Sequence, residues 1–386
     1  MKIAKRMDLL SESITIAITT LSKELKAQGK DIVSFSAGEP DFDTPHAIKE
    51  AAIRALDDGH TKYTAVCGTP DIKKAIIGKL KKDNGLNYKP SDIIVSVGAK
   101  HSLFNIFQSL VDHGDEVIIP APYWVTYPEQ TRYSHGVPVE ILTTDESEFK
   151  ITPQQLKDAI TPKSKILILT TPSNPTGSVY TKEELIALAE VLKGTDIIVV
   201  SDEMYEKLLY DGKKFTAVAS VSEDMFQRTI TINGLSKSVA MTGWRFGYSA
   251  TPNEDLNKAM RKLQSQSTSN INSITQAAAV TALDGTVDED IEMMRVEFEK
   301  RRNIAYARFN EIDGLTAVKP DGAFYLFVNI KDITNDSMKF CADILEDEGV
   351  ALVPGVAFGL EGYFRFSFAT SEAIINDGLN RIQRFV

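Results

Sequence analysis

The chain has 386 residues, enough to bury a large core in one big or two modest domains. Hydrophobic residues make up 43% and charged residues 25%, and a formal charge of −10 argues against nucleic acid as the main partner while leaving room for a local anion site built on one or two arginines. Cys67 and Cys341 lie far apart, the five histidines lack ligand spacing, and no apolar run approaches the ~18–20 residues of a membrane helix.

In chain order, a polar arm is expected to lead into a helix from about Ser13 to Gln28. Asp8 and Glu12 fall where a signal peptide needs an unbroken apolar run, so a cytoplasmic chain without a membrane partner is expected. Ile32 to Phe35 reads as a short strand entering Ser36-Ala37-Gly38-Glu39-Pro40-Asp41-Phe42, where Gly38 either offers a bare backbone N–H to a ligand or makes a plain turn. A helix from about Pro45 to Gly59, a loop with Tyr63, and a helix start at Thr69-Pro70 follow.

From Asp92 to Ile232 apolar strands alternate with helices, the pattern of a mostly parallel sheet wrapped by helices. The strands are Ile93 to Val97, Val117 to Ile119, Val137 to Leu142, Ile166 to Thr170, Ile197 to Val200 and Thr229 to Ile232. Thr152–Gln155 and Thr181–Glu184 carry capping-box spacing between them. Conspicuous residues follow most strand ends: Gly98, Ala99 and Lys100, then Trp124, Asn174, Asp202 with Tyr205, and Lys237. In open α/β sheets the ligand crevice lies outside the carboxyl ends of the strands, so these side chains are expected to share one site. No glycine-rich nucleotide loop is present.

The stretch Thr229 to Tyr248 is the centre of the reading. Asn233 and Gly234 are expected to end the strand before Leu235-Ser236-Lys237-Ser238, and Arg245 follows within Gly243-Trp244-Arg245-Phe246-Gly247. Lys237 is either an ordinary turn lysine or a desolvated amine able to form an imine. A helical stretch from Asn253 to Leu283 and a long helix from Asp288 to about Ile312 come next. Strands at Ala323 to Asn329 and Tyr363 to Ala369 close the chain, with Phe364, Phe366 and Phe368 on one face and Arg365 on the other. One large central domain, 48–287, is expected, with 1–47 and 288–386 forming a smaller α+β domain.

Taken together, the Ser36–Phe42 segment, Pro122-Tyr123-Trp124, Ser173-Asn174-Pro175-Thr176-Gly177, Ser201-Asp202-Glu203-Met204-Tyr205, Ser236-Lys237, Gly243–Gly247 and Arg365 resemble the class I aminotransferases of the pyridoxal-phosphate fold type I group. The likeness spans essentially the whole chain and is strongest to the bacterial aspartate aminotransferases. It implies that Lys237 carries the internal aldimine with pyridoxal phosphate and that Asp202 holds the proton on the pyridine nitrogen. It further implies Tyr205 and Asn174 on the phenolic oxygen and Trp124 on the ring face. For the phosphate it implies Arg245, Ser236, the amides of Ala99 and Lys100, and Tyr63 from a second subunit of a homodimer. Gly234 departs from relatives that carry serine there.

For substrates the resemblance implies Arg365 on the α-carboxylate, with Asn174, Trp124 and Gly38 nearby. Lys100, helped by Ser13 and Thr15, would meet a distal carboxylate; a solvated lysine at a helix start is the other reading. The implied reaction is ping-pong amino transfer between L-aspartate and 2-oxoglutarate. Aromatic, prephenate or kynurenine-type transfer, β-elimination, or a non-catalytic sensor are the alternatives.

Overall fold

The computed structural model describes residues 2–386. Its strands are β1 (Val33–Ser34), β2 (Ile93–Val97), β3 (Glu116–Ala121), β4 (Val137–Leu142), β5 (Ser164–Thr170), β6 (Ile198–Asp202), β7 (Thr229–Gly234) and β8 (Phe246–Ala250). After a helical stretch come β9 (Thr316–Ala317), β10 (Tyr325–Asn329), β11 (Val350–Ala351), β12 (Val353–Pro354) and β13 (Tyr363–Ser367).

Seven strands form the main sheet in the order β2-β8-β7-β6-β5-β3-β4. All but β8 run the same way, and β8 pairs antiparallel with both β2 and β7. The inner strands β5, β6 and β7 are β-branched and leucine-rich with nearly every residue buried, as a sheet covered on both faces requires. The reversed strand has a positional consequence: its first residues lie on the same edge as the last residues of its neighbours. Arg245, just before β8, therefore arrives beside the ends of β2 and β7.

Two expectations change here. Asn233 and Gly234 do not end the strand; β7 continues to Gly234, which pairs with Gly247 of β8. A side chain on Gly234 would meet the Phe246 carbonyl at 2.7 Å, so glycine serves close strand packing rather than a turn. The stretch Asn253 to Leu283 is two helices, Glu254–Ser267 and Ser273–Leu283, separated by Ser269 in the left-handed region at φ +64°. Gly247 sits still closer to its neighbour, because a Cβ there would lie 2.2 Å from the Ala99 nitrogen. Gly247→Ala is expected to lower stability by roughly 1–3 kcal/mol in urea unfolding, through a forced backbone shift.

The capping signals are realised. Ser13 accepts from the Ile16 N–H at the start of helix Ile14–Ala27, and Thr69 caps Pro70–Asn84. Thr152 and Thr181 close capping boxes with Gln155 and Glu184.

A second sheet runs β12-β13-β10-β9, and β1 pairs parallel with β11, so both chain ends build one layer. Phe364, Phe366 and Phe368 of the C-terminal segment are buried with Phe35, Phe309 and Phe340. Phe35 stacks on Phe366 at 4.1 Å and Phe309 meets Phe366 edge-on at 5.0 Å, pairs worth roughly 0.5–1.5 kcal/mol each beyond area burial. The opposite face of β13 is buried as well. Arg365 is 2% exposed, which removes the reading of a surface arginine. No helix among the described residues is long and apolar enough to cross a membrane.

Candidate active site

Lys237 follows β7 in the loop that leads to Arg245. Its ammonium donates to the Gly38 carbonyl, which ties this loop to the N-terminal Ser36–Phe42 segment. Enclosure pushes its pKa from the ordinary 10.5 to about 8; Glu39 and Asp202 oppose the drop, while Arg365 and Arg245 add to it. A lysine so placed spends a useful fraction of time as a free amine near neutral pH.

Asp202 ends β6 and is 6% exposed. Tyr127 donates to Oδ2 at 2.8 Å, and the Met204 N–H reaches Oδ1 at 3.3 Å. Burial raises its pKa, against these two donors and the Lys237 charge. Because Tyr127 gives its proton to Asp202, the Thr170 hydroxyl 2.8 Å away must donate to Tyr127. The carboxylate is thus held in one orientation by a two-step chain of hydroxyls.

Arg365 lies close enough for its charge to act on Lys237. Its Nη1 donates to Asn174 Oδ1 at 2.9 Å and Nη2 to the Ser36 carbonyl at 2.7 Å. Its guanidinium lies over the rings of Tyr325 at 4.5 Å and Phe358 at 5.0 Å. Burial lowers its pKa, and its Nε is buried with no hydrogen-bond partner among the described residues. A buried cation with an orphaned donor and no carboxylate against it suits an incoming anion. Since Asn174 uses its oxygen on Arg365, its amide NH₂ remains free to donate elsewhere.

The third part is an anion cradle. Helix Ala99–Leu110 begins without a side-chain cap after Gly98 at φ +80°. The Arg245 guanidinium packs against Gly98, where a Cβ would lie 2.5 Å from Nη2, and its Nη1 donates to the Thr242 carbonyl at 2.7 Å. Ser236 is buried in the Lys237 loop. Helix N–H groups, a guanidinium and a hydroxyl suit a phosphate.

Lys100 reaches over Trp124, with Nζ 4.9 Å from the ring, and its pKa is lowered by burial and by Arg245. Trp124 in turn meets Tyr127 edge-on at 5.5 Å. Lys100 and Ser13 line one cavity of about 600 Å³, together with Phe104, Tyr123 and Tyr133. Thr15 is not on that lining; its Oγ1 is buried without a partner. Tyr63 is 91% exposed and takes no part in the arrangement within one chain.

Sequence reasoning missed Tyr127, Tyr325 and the Ser36 carbonyl. Tyr127 was accessible in principle, since it follows the Pro122-Tyr123-Trp124 turn past β3. Tyr325, whose hydroxyl is 2.9 Å from that of Tyr205, carried only the hint of a tyrosine opening an apolar strand.

A family model described as aminotransferase class I and II matches residues 30–382. The chain belongs to that aminotransferase family. The aspartate aminotransferase of Geobacillus stearothermophilus is 51% identical to this aminotransferase, covering 100% of this chain and 99% of the relative. An aspartate/prephenate aminotransferase of Cereibacter sphaeroides is 46% identical over 97% of this chain and 96% of its own length. The solved aspartate aminotransferase of Thermus thermophilus with maleate superposes with a TM-score of 0.96 at 42% identity, covering all of both chains. Aminotransferases of this family act with pyridoxal phosphate on amino acids and 2-oxo acids, and the α/β fold expected from the sequence is the fold they share.

Proposed function

We propose that this aminotransferase binds pyridoxal 5′-phosphate at Lys237 and exchanges amino groups between L-aspartate and 2-oxoglutarate, giving oxaloacetate and L-glutamate. The observation that carries this reading is the buried Arg365 guanidinium with its unpartnered Nε, and Lys100 over Trp124 supplies a second cation. A C4 or C5 dicarboxylate has an anion for each. Relatives near half identity that are named aspartate aminotransferases support it.

The side chains fit the cofactor. The uncapped helix start with Arg245 and Ser236 suits the phosphate, and the orientated Asp202 carboxylate suits a protonated ring nitrogen. Tyr205 and the free NH₂ of Asn174 suit the phenolic oxygen, and Trp124 suits the ring face. When bound, the cofactor supplies an electron sink for a carbanion at the substrate Cα. Asp202 keeps that sink cationic. Arg365 holds the α-carboxylate, with Asn174, Trp124 and the Gly38 segment beside it, and so sets which Cα bond faces Lys237. The Lys237 amine, with its pKa already near 8, would act as the base that takes the Cα proton and as the acid that gives it back, the cofactor supplying the electron sink between. Two half-reactions with one shared site give ping-pong kinetics.

This reading takes the active unit as a homodimer in the cytoplasm. An exposed Tyr63 suits delivery to a second subunit's phosphate cradle, and two unpaired buried cysteines suit a reducing compartment. The same reading divides the chain at 48–287 against 1–47 and 288–386, supported by the seven-stranded sheet taking its strands from residues 93–250 and the two smaller sheets taking theirs from 33–34 and 316–367. A second reading, an additional prephenate-type acceptor, is favoured by the aromatic lining of the cavity beside Lys100.

The deciding experiment is a steady-state screen of amino donors with Lys100→Ala alongside the wild type. A charge-assisted contact is worth roughly 1.5–3 kcal/mol, so kcat/KM for aspartate is expected to fall about 10- to 150-fold. Tyrosine and phenylalanine should be affected far less. Equal losses for all donors would remove the case for an acidic substrate.

A further inference from the structure

The hydroxyls of Tyr205 and Tyr325 are 2.9 Å apart, and both rings are buried. Each phenol has one proton, so within this pair one oxygen donates and the other accepts. On the function proposed above, Tyr205 directs its proton at the cofactor's phenolic oxygen. Its oxygen is then left to accept, and Tyr325 must be the donor.

The surroundings favour that polarity. The Arg365 guanidinium lies 4.5 Å from the centre of the Tyr325 ring, and a positive charge there makes the Tyr325 hydroxyl a better donor. Gly38 leaves the room: a side chain at that position would put its Cβ 2.9 Å from the Tyr325 oxygen. Strand pairing fixes the ring from behind, with Tyr325 opposite Ser367 and Phe327 opposite Arg365 on β10 and β13. Phe324 packs edge-on to Tyr205 at 5.4 Å and limits its swing.

We propose that Tyr325 is a positioning residue that donates to Tyr205, fixes the direction of the Tyr205 proton, and links the substrate-carboxylate arginine to the cofactor's phenolic oxygen. The link runs Arg365, Tyr325, Tyr205, and it rests on the pyridoxal-phosphate reading of the site. A chain of hydrogen bonds polarises along its length, so Tyr205 is a stronger donor with Tyr325 behind it than without. That donor matters most when the phenolic oxygen is negative and the adjacent imine proton has left. Weakening it therefore holds the imine proton on to higher pH.

The test is a pH titration of the bound cofactor's visible absorption in wild type, Tyr325→Phe, Tyr205→Phe and the double variant. Phenylalanine keeps the ring under Arg365, and the charged groups near the pair, Arg365 on β13 and Asp202 at the end of β6, and those near Lys237, Glu39 and Arg245, are untouched. Tyr325→Phe is expected to move the titration midpoint up by roughly half a pH unit. Its thermal midpoint should stay within about 3 °C of wild type. The double variant should titrate within roughly 0.3 unit of Tyr205→Phe alone, because Tyr325 acts only through Tyr205. An unmoved or lowered midpoint in Tyr325→Phe overturns the proposal, as does a further shift in the double variant. A wild type with no pH-dependent visible band would instead sink the cofactor reading itself, which keeps the two failures apart.

Discussion

Lys237→Ala is expected to abolish amino exchange, with kcat falling by about 10⁴-fold or more, since the proposed reading gives one side chain both roles, cofactor anchor and acid–base group. Rapid-mixing measurement of the aspartate half-reaction checks it, together with the visible band of the purified variant. Retention of that band and of single-turnover exchange would refute the assignment. The same lysine predicts a pH effect on the cofactor-free protein. Unfolded, the amine titrates near 10.5; folded, near 8. Below pH 8 both states carry the proton, and the folded one bears the cost of enclosing a charge. Between about 8 and 10.5 the folded chain has released its proton while the unfolded chain keeps it, so stability rises with pH. Lys237→Met lacks this term. It should exceed wild type in urea stability below pH 8, by up to about 3 kcal/mol, and the advantage should vanish above pH 10.5.

The second large effect is expected at Asp202. Asp202→Asn keeps the shape but removes the charge that, on the proposed reading, holds a ring proton, and kcat should drop by about two to three orders of magnitude. The Tyr127 hydroxyl, now 2.8 Å from Asp202 Oδ2, would face an uncharged amide, so the loss is of charge more than of contact. Asp202→Glu should restore part of the rate, because a carboxylate returns at a displaced position. Presteady-state rates of Cα proton removal from deuterated aspartate separate this effect from binding. If Asn and Glu variants matched wild type in that step, the carboxylate would have no part in the chemistry.

The strand ends were the legible part of the chain. A parallel sheet announces itself through short apolar runs, and chemistry gathers where they stop, so Asp202, Asn174, Gly98 and Lys237 could be picked out one by one. What pattern cannot supply is partnership between segments. The reversed strand Phe246–Ala250 was hidden inside a glycine-rich motif, because Phe-Gly-Tyr-Ser-Ala has no clear period, yet it is what carries Arg245 to Gly98 and the start of helix Ala99–Leu110. Asn233-Gly234 looked like a turn because those residue types favour turns. In the fold, close packing against Gly247 and the Phe246 carbonyl overrides that preference. Arg365 alternates with three phenylalanines, which suggests an outward-facing residue unless something covers that face; Phe358 and Tyr325 cover it. Tyr127 and Tyr325 act on other residues of the site, and such indirect roles leave little trace in local sequence.

The order in which the chain is made gives the crevice a history. Every segment of the main sheet, from residue 93 to 250, is synthesised before β10 and β13, and β13 brings Arg365 after all the other site residues. A nascent chain can therefore bring Lys237, Asp202 and Arg245 together while the strand that carries Arg365 does not yet exist. On the proposed reading, what the chain acquires last is its grip on the end that all amino acids share, while Lys100, the residue proposed to tell aspartate from aromatic donors, is made early.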